Sequence, residues 1–221
     1  MIAGFLLSVL LITATSAFGG GQHVIADYAA AQRDWFWTKL YVNGGREFYC
    51  NVRFLKGQRV TVEHVYAADW IADRFGCANR DCSHPTYRRA EADLHNLWPA
   101  LGAINSSRGN KVFGEIPGER RTLPPSIAAD STCDYERTTG VNGQDSIVEP
   151  RKVIRGDIAR SLFYMHVEYD LGLKGMLPML KRWNRLDPPN TFERWRNNEI
   201  EKLERIRNRF IDTHLIADQL R

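Results

Sequence analysis

An acidic residue and a histidine stand side by side at Glu63-His64, at the end of a β-branched run. Further along, residues 91–105 (EADLHNLWPALGAIN) add carboxylate, imidazole and amide side chains that lead into a short helical stretch. Hard oxygen ligands suit Mg²⁺, and a neutral imidazole can take a proton from water. These residue types together supply what metal-assisted hydrolysis of a phosphodiester needs.

The pair must be positioned by a strand, because residues 59–64 (RVTVEH) alternate and are β-branched. Residues 46–54 predict a second strand and Lys56-Gly57 a turn, so we expect a hairpin. Alternation places Glu63 and His64 on opposite faces of their strand. A twist or bend after His64 must therefore bring the acid and the base to one cavity.

Helical patterns occupy much of the rest of the chain. Ile154, Ile158, Leu162 and Met165 share one stripe, and Pro99 suits the first turn of a helix that runs to about Asn105. Residues 111–150 lack periodicity, which predicts irregular structure with one strand near Cys133. The expected fold class is α+β, with a β-hairpin and a short helix embedded in a mainly helical single domain.

The first residues form an apolar run that ends in small residues, a pattern typical of a secretory signal peptide. No Lys or Arg precedes the run, and an uncleaved anchor is the alternative. We predict a signal peptide over residues 1–20 and one domain over residues 21–221. No other apolar run is long enough to cross a bilayer, so we expect no membrane contact after cleavage.

Four cysteines in a chain predicted to be exported indicate two disulfide bonds. The short spacing favours Cys77–Cys82, which leaves Cys50–Cys133 to close a long loop. The alternative is a zinc site built from Cys77, Cys82 and His84, for which the sequence offers no clear fourth ligand.

The net charge of +4 is unevenly distributed, because residues 151–221 hold 15 Lys and Arg against 10 Asp and Glu. A basic C-terminal third suits a polyanion such as nucleic acid. On charge alone, a solvated helix surface with interspersed Glu–Arg pairs is the better interpretation.

Several ordered segments resemble the bacterial periplasmic and extracellular endonuclease I family, whose members carry the ββα-metal (His-Me finger) motif. The matching segments are 48–50 (FYC), 62–65 (VEHV), 92–105 (ADLHNLWPALGAIN), 108–110 (RGN), 155–165 (RGDIARSLFYM) and 207–212 (RNRFID). Each segment alone is weak evidence for the resemblance. The set in this order is strong evidence, and it spans most of the mature chain. The segments around the Glu-His pair depart from the usual family pattern without removing a catalytic group.

The resemblance implies that His64 is the general base and that Glu63 and Asn105 bind one Mg²⁺, with Mn²⁺ or Ca²⁺ as alternatives. It also implies that Arg80 helps to hold the scissile phosphate. Positions that could support the site or supply an alternative ligand are Glu91, Asp93, His95 and Asn96, and Asn96 competes with Asn105 for the metal. Arg155 and Arg160 are candidate phosphate-binding residues, with a helix-surface position or intramolecular ion pairing as the alternative for each.

The function implied is a metal-dependent endonuclease that hydrolyses DNA, and also RNA, through the phosphate backbone with little sequence preference. We expect a monomer located in the periplasm or outside the cell. The alternative is an exported nucleic-acid-binding protein that keeps this fold and lacks turnover.

Overall fold

The computed structural model describes residues 19–58, 60–77, 82–118, 123, 133–138 and 146–221. Residues 1–18 of the predicted signal peptide and Arg80 lie outside this part of the chain. The fold is α+β. Its helices are α1 Tyr28–Ala30, which continues as a π-helix over Ala31–Leu40, α2 Ala68–Phe75, α3 Pro85–Ala92, α4 Gly102–Arg108, α5 Arg155–Tyr169, α6 Leu177–Leu186, α7 Thr191–Glu204 and α8 Arg209–Asp212. Short 3₁₀ turns lie at Lys152–Ile154 and His214–Gln219.

The strands are short and form three small sheets in the described part of the chain. They are β1 Gly45–Arg46, β2 Arg53–Phe54, β3 Thr61–His64, β4 Leu97–Ala100, β5 Val112–Phe113, β6 Tyr135–Arg137 and β7 Ile147–Pro150. The first two pair antiparallel with each other, and so do β3 and β4. The third sheet has the order β5-β7-β6, with one parallel and one antiparallel pairing.

The predicted hairpin between residues 46–54 and 59–64 is wrong. β3 pairs instead with β4, in a register that sets Glu63 opposite Trp98 and His64 opposite Leu97. The chain of residues 46–54 curls because the Glu47 carboxylate accepts hydrogen bonds from the backbone N–H groups of Tyr49, Cys50 and Val52. A carboxylate that satisfies three local donors competes directly with a strand ladder.

Pro99 lies in β4 and not in the first turn of a helix, and helix α4 begins at Gly102. Pro99 lacks an N–H, which a strand with one ladder partner tolerates at an edge position. Its carbonyl accepts a hydrogen bond from the N–H of Phe48. Residues 111–150 hold three strands in their described part, more than the single strand predicted near Cys133.

The long helix α5 is buried along most of its length. All four residues of the predicted stripe are buried, and the first of them, Ile154, lies just before the helix begins. In a second, smaller hydrophobic cluster, residues of the π-helical segment pack with Val62 and Leu97. Trp98 and Ala100 belong to the main cluster, so the β3–β4 pair lies between the two hydrophobic clusters.

Both predicted disulfides are present, Cys50–Cys133 and Cys77–Cys82. The zinc alternative at Cys77, Cys82 and His84 is therefore wrong, because a disulfide sulfur is not the thiolate that zinc requires. No described helix is both long and apolar enough to span a lipid bilayer.

Candidate active site

A cavity of about 220 Å³ lies where β3 ends and is lined by residues of β3, helix α2 and helix α4. The lining residues are Glu63, His64, Ala67, Ala68, Asp69, Asn105, Ser106, Arg108 and Gly109. The chain bends at residues 65 and 66. Adjacent residues of a strand point to opposite faces. Glu63 and His64 nevertheless line the same cavity, and they lie at the end of the strand where the chain bends.

The His64 ring is held by a backbone carbonyl on another element. Its Nε2 lies 2.9 Å from the carbonyl oxygen of Glu91, near the end of α3. A carbonyl oxygen only accepts hydrogen bonds, so Nε2 carries a proton, and in the neutral ring Nδ1 then carries the lone pair. The Tyr28 ring packs against the imidazole with 4.6 Å between ring centroids. The neutral tautomer and the ring orientation of His64 are therefore fixed by α3 and α1.

The Glu63 carboxyl group is 1% exposed and has two interacting partners at one oxygen. Oε1 accepts a hydrogen bond of 2.7 Å from the Tyr49 hydroxyl and lies 3.4 Å from Nη1 of Arg108. Burial raises the pKa of Glu63 to about 7, while Arg108 and Tyr49 act to lower it. No described residue donates a hydrogen bond to Oε2, which leaves that oxygen as a donor atom for a cation.

Asn105 is oriented by β3. Its Nδ2 donates to Thr61 Oγ1 at 3.1 Å and to the Val62 carbonyl at 3.0 Å. Because both amide protons are directed at the strand, the side-chain oxygen is the atom that can serve a ligand. No described residue donates a hydrogen bond to that oxygen. Carboxylate and amide oxygens are hard donors, and the pair Glu63 and Asn105 therefore fits a Mg²⁺-type cation better than a soft metal.

Arg108 is a buried cation at the base of the cavity, 1% exposed. It donates to the carbonyl of His64 at 2.8 Å and to the carbonyl of Val65 at 2.7 Å. Its guanidinium lies over the rings of Trp70 and Phe113, at 5.2 and 4.7 Å from the centroids. Arg108 thus fixes the backbone at the strand end and supplies positive charge beside Glu63.

Three residues expected to be supporting groups or alternative ligands are enclosed elsewhere and do not line the cavity. Asn96 clamps the backbone of Tyr66, with Oδ1 accepting from its N–H at 2.6 Å and Nδ2 donating to its carbonyl at 3.0 Å. Asp93 accepts hydrogen bonds from the hydroxyls of Tyr164 and Tyr169. His95 contacts the Ile206 carbonyl through Nε2. The fourth residue, Glu91, contacts His64 through its backbone carbonyl.

The two predicted phosphate-binding arginines make intramolecular ion pairs. Arg160 is 0% exposed and binds both oxygens of Glu193 at 2.6 Å, together with Asp157 at 3.0 Å. A guanidinium enclosed in this way has no surface to offer a phosphate, so we assign Arg160 a structural role. Arg155 bonds to Glu149 at 2.5 Å and lies over the ring of Trp183.

Two residues that line the cavity, Arg108 and Asp69, and one that hydrogen-bonds Glu63, Tyr49, were not identified from the sequence. Arg108 and Tyr49 lie within segments that carried the family resemblance, but a buried ion pair and a tyrosine–carboxylate hydrogen bond leave no spacing signal. Asp69, in the first turn of α2, lines the cavity and accepts a hydrogen bond from Asn110. In the part of the chain that the structure describes, no group of three or more His, Cys, Asp or Glu side chains is placed to hold a metal ion.

Comparison with known proteins gives one consistent family. The model of the family described as Endonuclease I matches residues 20–214. An extracellular deoxyribonuclease of Aeromonas hydrophila is 27% identical over 94% of this chain and 96% of its own length. A periplasmic deoxyribonuclease of the same organism is 26% identical over 79% of this chain and 81% of its own length.

An extracellular ribonuclease of Bacillus subtilis (strain 168) is 33% identical over 58% of this chain and 46% of its own length. The extracellular and periplasmic names of these relatives agree with the predicted secretion. The family model covers most of the sequence, including every residue of the cavity. The chain therefore belongs to the endonuclease I family of nucleases.

Proposed function

We propose that this protein is a divalent-metal-dependent endonuclease that hydrolyses phosphodiester bonds of DNA, and also of RNA, with little sequence preference. The observation that carries the proposal is the meeting of His64, the Glu63 carboxylate and the Asn105 amide in one cavity. Relatives named deoxyribonuclease and ribonuclease support both substrates. The unit formed by β3, β4 and α4 would act as the ββα-metal finger of this family.

His64 is the general base in this proposal. The proton on Nε2 is committed to the Glu91 carbonyl, and Nδ1 accepts the proton of the attacking water. General base catalysis of this kind contributes about 10²–10⁴-fold. The backbone contacts of Arg108 hold the strand end, so the imidazole keeps its direction during proton transfer.

Glu63 and Asn105 would hold one Mg²⁺, with Mn²⁺ or Ca²⁺ as alternatives. When bound, the cation supplies Lewis-acid stabilisation of the charge that develops on the departing 3′ oxygen. Mg²⁺ keeps several waters of its own, so two protein ligands are enough. Arg108 and Tyr49 favour the ionised form of Glu63, which is the form that a cation requires.

The experiment is incubation of residues 21–221 with supercoiled plasmid in Mg²⁺ or in EDTA, beside His64→Ala and the control His23→Ala. His23 is exposed and lies outside the cavity. We expect nicking and then degradation that requires metal and His64 but not His23. Plasmid that is shifted in a gel and left uncut with each metal would favour the nucleic-acid-binding alternative. Turnover by His64→Ala at the wild-type rate would refute the assigned base.

A further inference from the structure

A larger cavity of about 710 Å³ lies against β1, β2 and the N-terminal end of α7, and the proposed cleavage chemistry makes no use of it. We call it the second cavity. Its walls include the aromatic residues Phe48, Phe54, Trp98 and Phe192 and the arginines Arg46, Arg53 and Arg151. Its volume falls in the range of small-molecule and cofactor pockets, about 300–1,000 Å³.

Two arginines of this cavity are placed where their like charges destabilise the strand pair. Arg46 and Arg53 are exposed and stand directly opposite each other in the antiparallel β1–β2 ladder. Like charges at directly opposed positions destabilise a strand pair. Neither forms an ion pair with any residue that the structure describes, although Arg46 donates to the Asn51 carbonyl. A local conflict of this kind indicates a position kept for binding.

The acidic residues of the second cavity do not neutralise these arginines. Glu47 is 1% exposed, and its oxygens accept backbone N–H groups of its own loop. Asp157 is 5% exposed and is paired with Arg160. The charge that the cavity presents to solvent is therefore positive, and an anion complements it.

An exposed aromatic ring lines the same cavity as the arginines. Phe192 is 45% exposed and lies 5.3 Å from Trp195, itself 42% exposed, in the first turns of α7. Nucleobases stack on such rings without regard to sequence. Trp98, which lines the same cavity, is the register partner of Glu63, so the second cavity and the active site share the β3–β4 wall.

We propose that the second cavity binds one unpaired nucleotide of a polynucleotide chain, with the phosphate between Arg46 and Arg53 and the base on Phe192. This inference rests on the proposed nuclease function and extends it, because a strand held here remains bound beside the site of cleavage. The occupant follows from the combination of a positive pair, which suits phosphate, with an exposed ring, which suits a base.

The first test is binding of a fluorescent oligothymidylate to the full chain in EDTA over a series of salt concentrations. Arg46→Gln/Arg53→Gln should bind more weakly, with a salt slope smaller in magnitude by about 0.7 for each phosphate that the variant no longer neutralises. The matched control is Lys202→Gln/Arg205→Gln, which removes two charges at the far end of α7. At 1.5 Å per helical residue, Lys202 lies roughly 15 Å from Phe192. Equal affinity of the Arg46/Arg53 variant and wild type would overturn the proposal.

Thermal unfolding of the same variants separates binding from structure. Removal of two opposed like charges should leave the melting temperature of Arg46→Gln/Arg53→Gln unchanged or raise it. A lowered melting temperature together with weaker binding would show that the pair serves the fold, against the proposal.

Phe192→Ala tests the base separately from the phosphate. Removal of one stacking ring should weaken oligothymidylate binding roughly 5- to 150-fold, and Phe192→Tyr should restore it. Leu186→Ala is the control, since Leu186 is an apolar residue 76% exposed outside the cavity. Competition by thymidine 5′-monophosphate at the same concentration as the oligonucleotide would assign the cavity to a free nucleotide and refute the polynucleotide.

Because these measurements are made in EDTA, they do not depend on cleavage. An inactive wild-type protein that still shows the Arg46/Arg53 and Phe192 effects would remove the nuclease proposal and leave the second cavity as a binding site. An active wild-type protein without those effects would remove the second-cavity proposal alone.

Discussion

Replacement of Arg108 by methionine should lower stability more than replacement of any exposed arginine. Methionine keeps much of the length and removes the charge, so Glu63 loses its cationic neighbour at 3.4 Å and two buried carbonyls lose their donor. Breaking a buried ion pair by removing one partner costs about 3–5 kcal/mol. In a domain of this size each kcal/mol shifts the melting temperature by about 2–4 °C, so we expect a fall of roughly 6–20 °C.

The assays are thermal unfolding, which gives the melting temperature, and urea unfolding, which gives the free energy of unfolding, both followed by circular dichroism with the disulfides kept intact. The matched control is Arg74→Met, because the Arg74–Asp170 pair is closer, at 2.7 Å, but both side chains are about half exposed. Exposed pairs contribute about 0–1 kcal/mol. A destabilisation by Arg108→Met no greater than that by Arg74→Met would refute the reasoning.

A double-mutant cycle sharpens this prediction. If much of the cost arises from an unpaired Glu63, then Glu63→Gln/Arg108→Met should lose less stability than the two single variants added together. Strict additivity would mean that Arg108 acts only through the carbonyls of His64 and Val65.

Three further perturbations address the site and the core. Tyr49→Phe removes the hydroxyl that donates to Glu63, so the pKa of Glu63 should rise from about 7. Less of the carboxyl group is then ionised at neutral pH, and half-maximal cleavage should need more Mg²⁺. Tyr135→Phe, which removes a bond to Ser107 instead, should leave the Mg²⁺ titration unchanged. Burial lowers the pKa of His95 to about 3 from its ordinary value near 6.5, so the unfolded chain takes up a proton that the native state refuses. Relative to His95→Gln, the wild type should therefore lose about 1.4 kcal/mol of unfolding free energy per pH unit as pH falls from 6.5 towards 3, and parallel curves would contradict this. Removal of the Cys50–Cys133 bond, which spans 83 residues, should lower the free energy of unfolding by about 4.5 kcal/mol. Removal of the Cys77–Cys82 bond, which spans 5 residues, should lower it by about 2 kcal/mol. Equal losses of unfolding free energy in denaturant titration would show that loop entropy is not the origin of the effect.

The sequence indicated the fold where a pattern is local. The apolar stripe of α5 is buried as its spacing predicts, since burial of one helix face is encoded within a few residues. The pairing of β3 was not predictable in this way. A Lys-Gly turn favoured the nearer strand, whereas the Glu47 carboxylate curls that segment and β4 arrives from much later in the chain.

The candidate site likewise has parts that the sequence predicted and parts that it did not. Glu63 and His64 were identified from their residue types and Asn105 from the family resemblance, and all three line one cavity. The group that orients His64 is a backbone carbonyl of Glu91, and every residue has such a carbonyl, so no residue type marks it. Arg160 shows the converse, because a helix arginine that fits phosphate by type is enclosed by acids of α7 and its own helix.

The pairing of β3 with β4 has a consequence for partial chains of this protein. A chain segment that ends before residue 97 contains Glu63 and His64 but has neither the partner strand nor Asn105. A truncated chain of this kind therefore carries Glu63 and His64 without the assembled cavity. Any activity that needs Glu63, His64 and Asn105 together therefore requires a chain that extends through β4 and α4 and has folded.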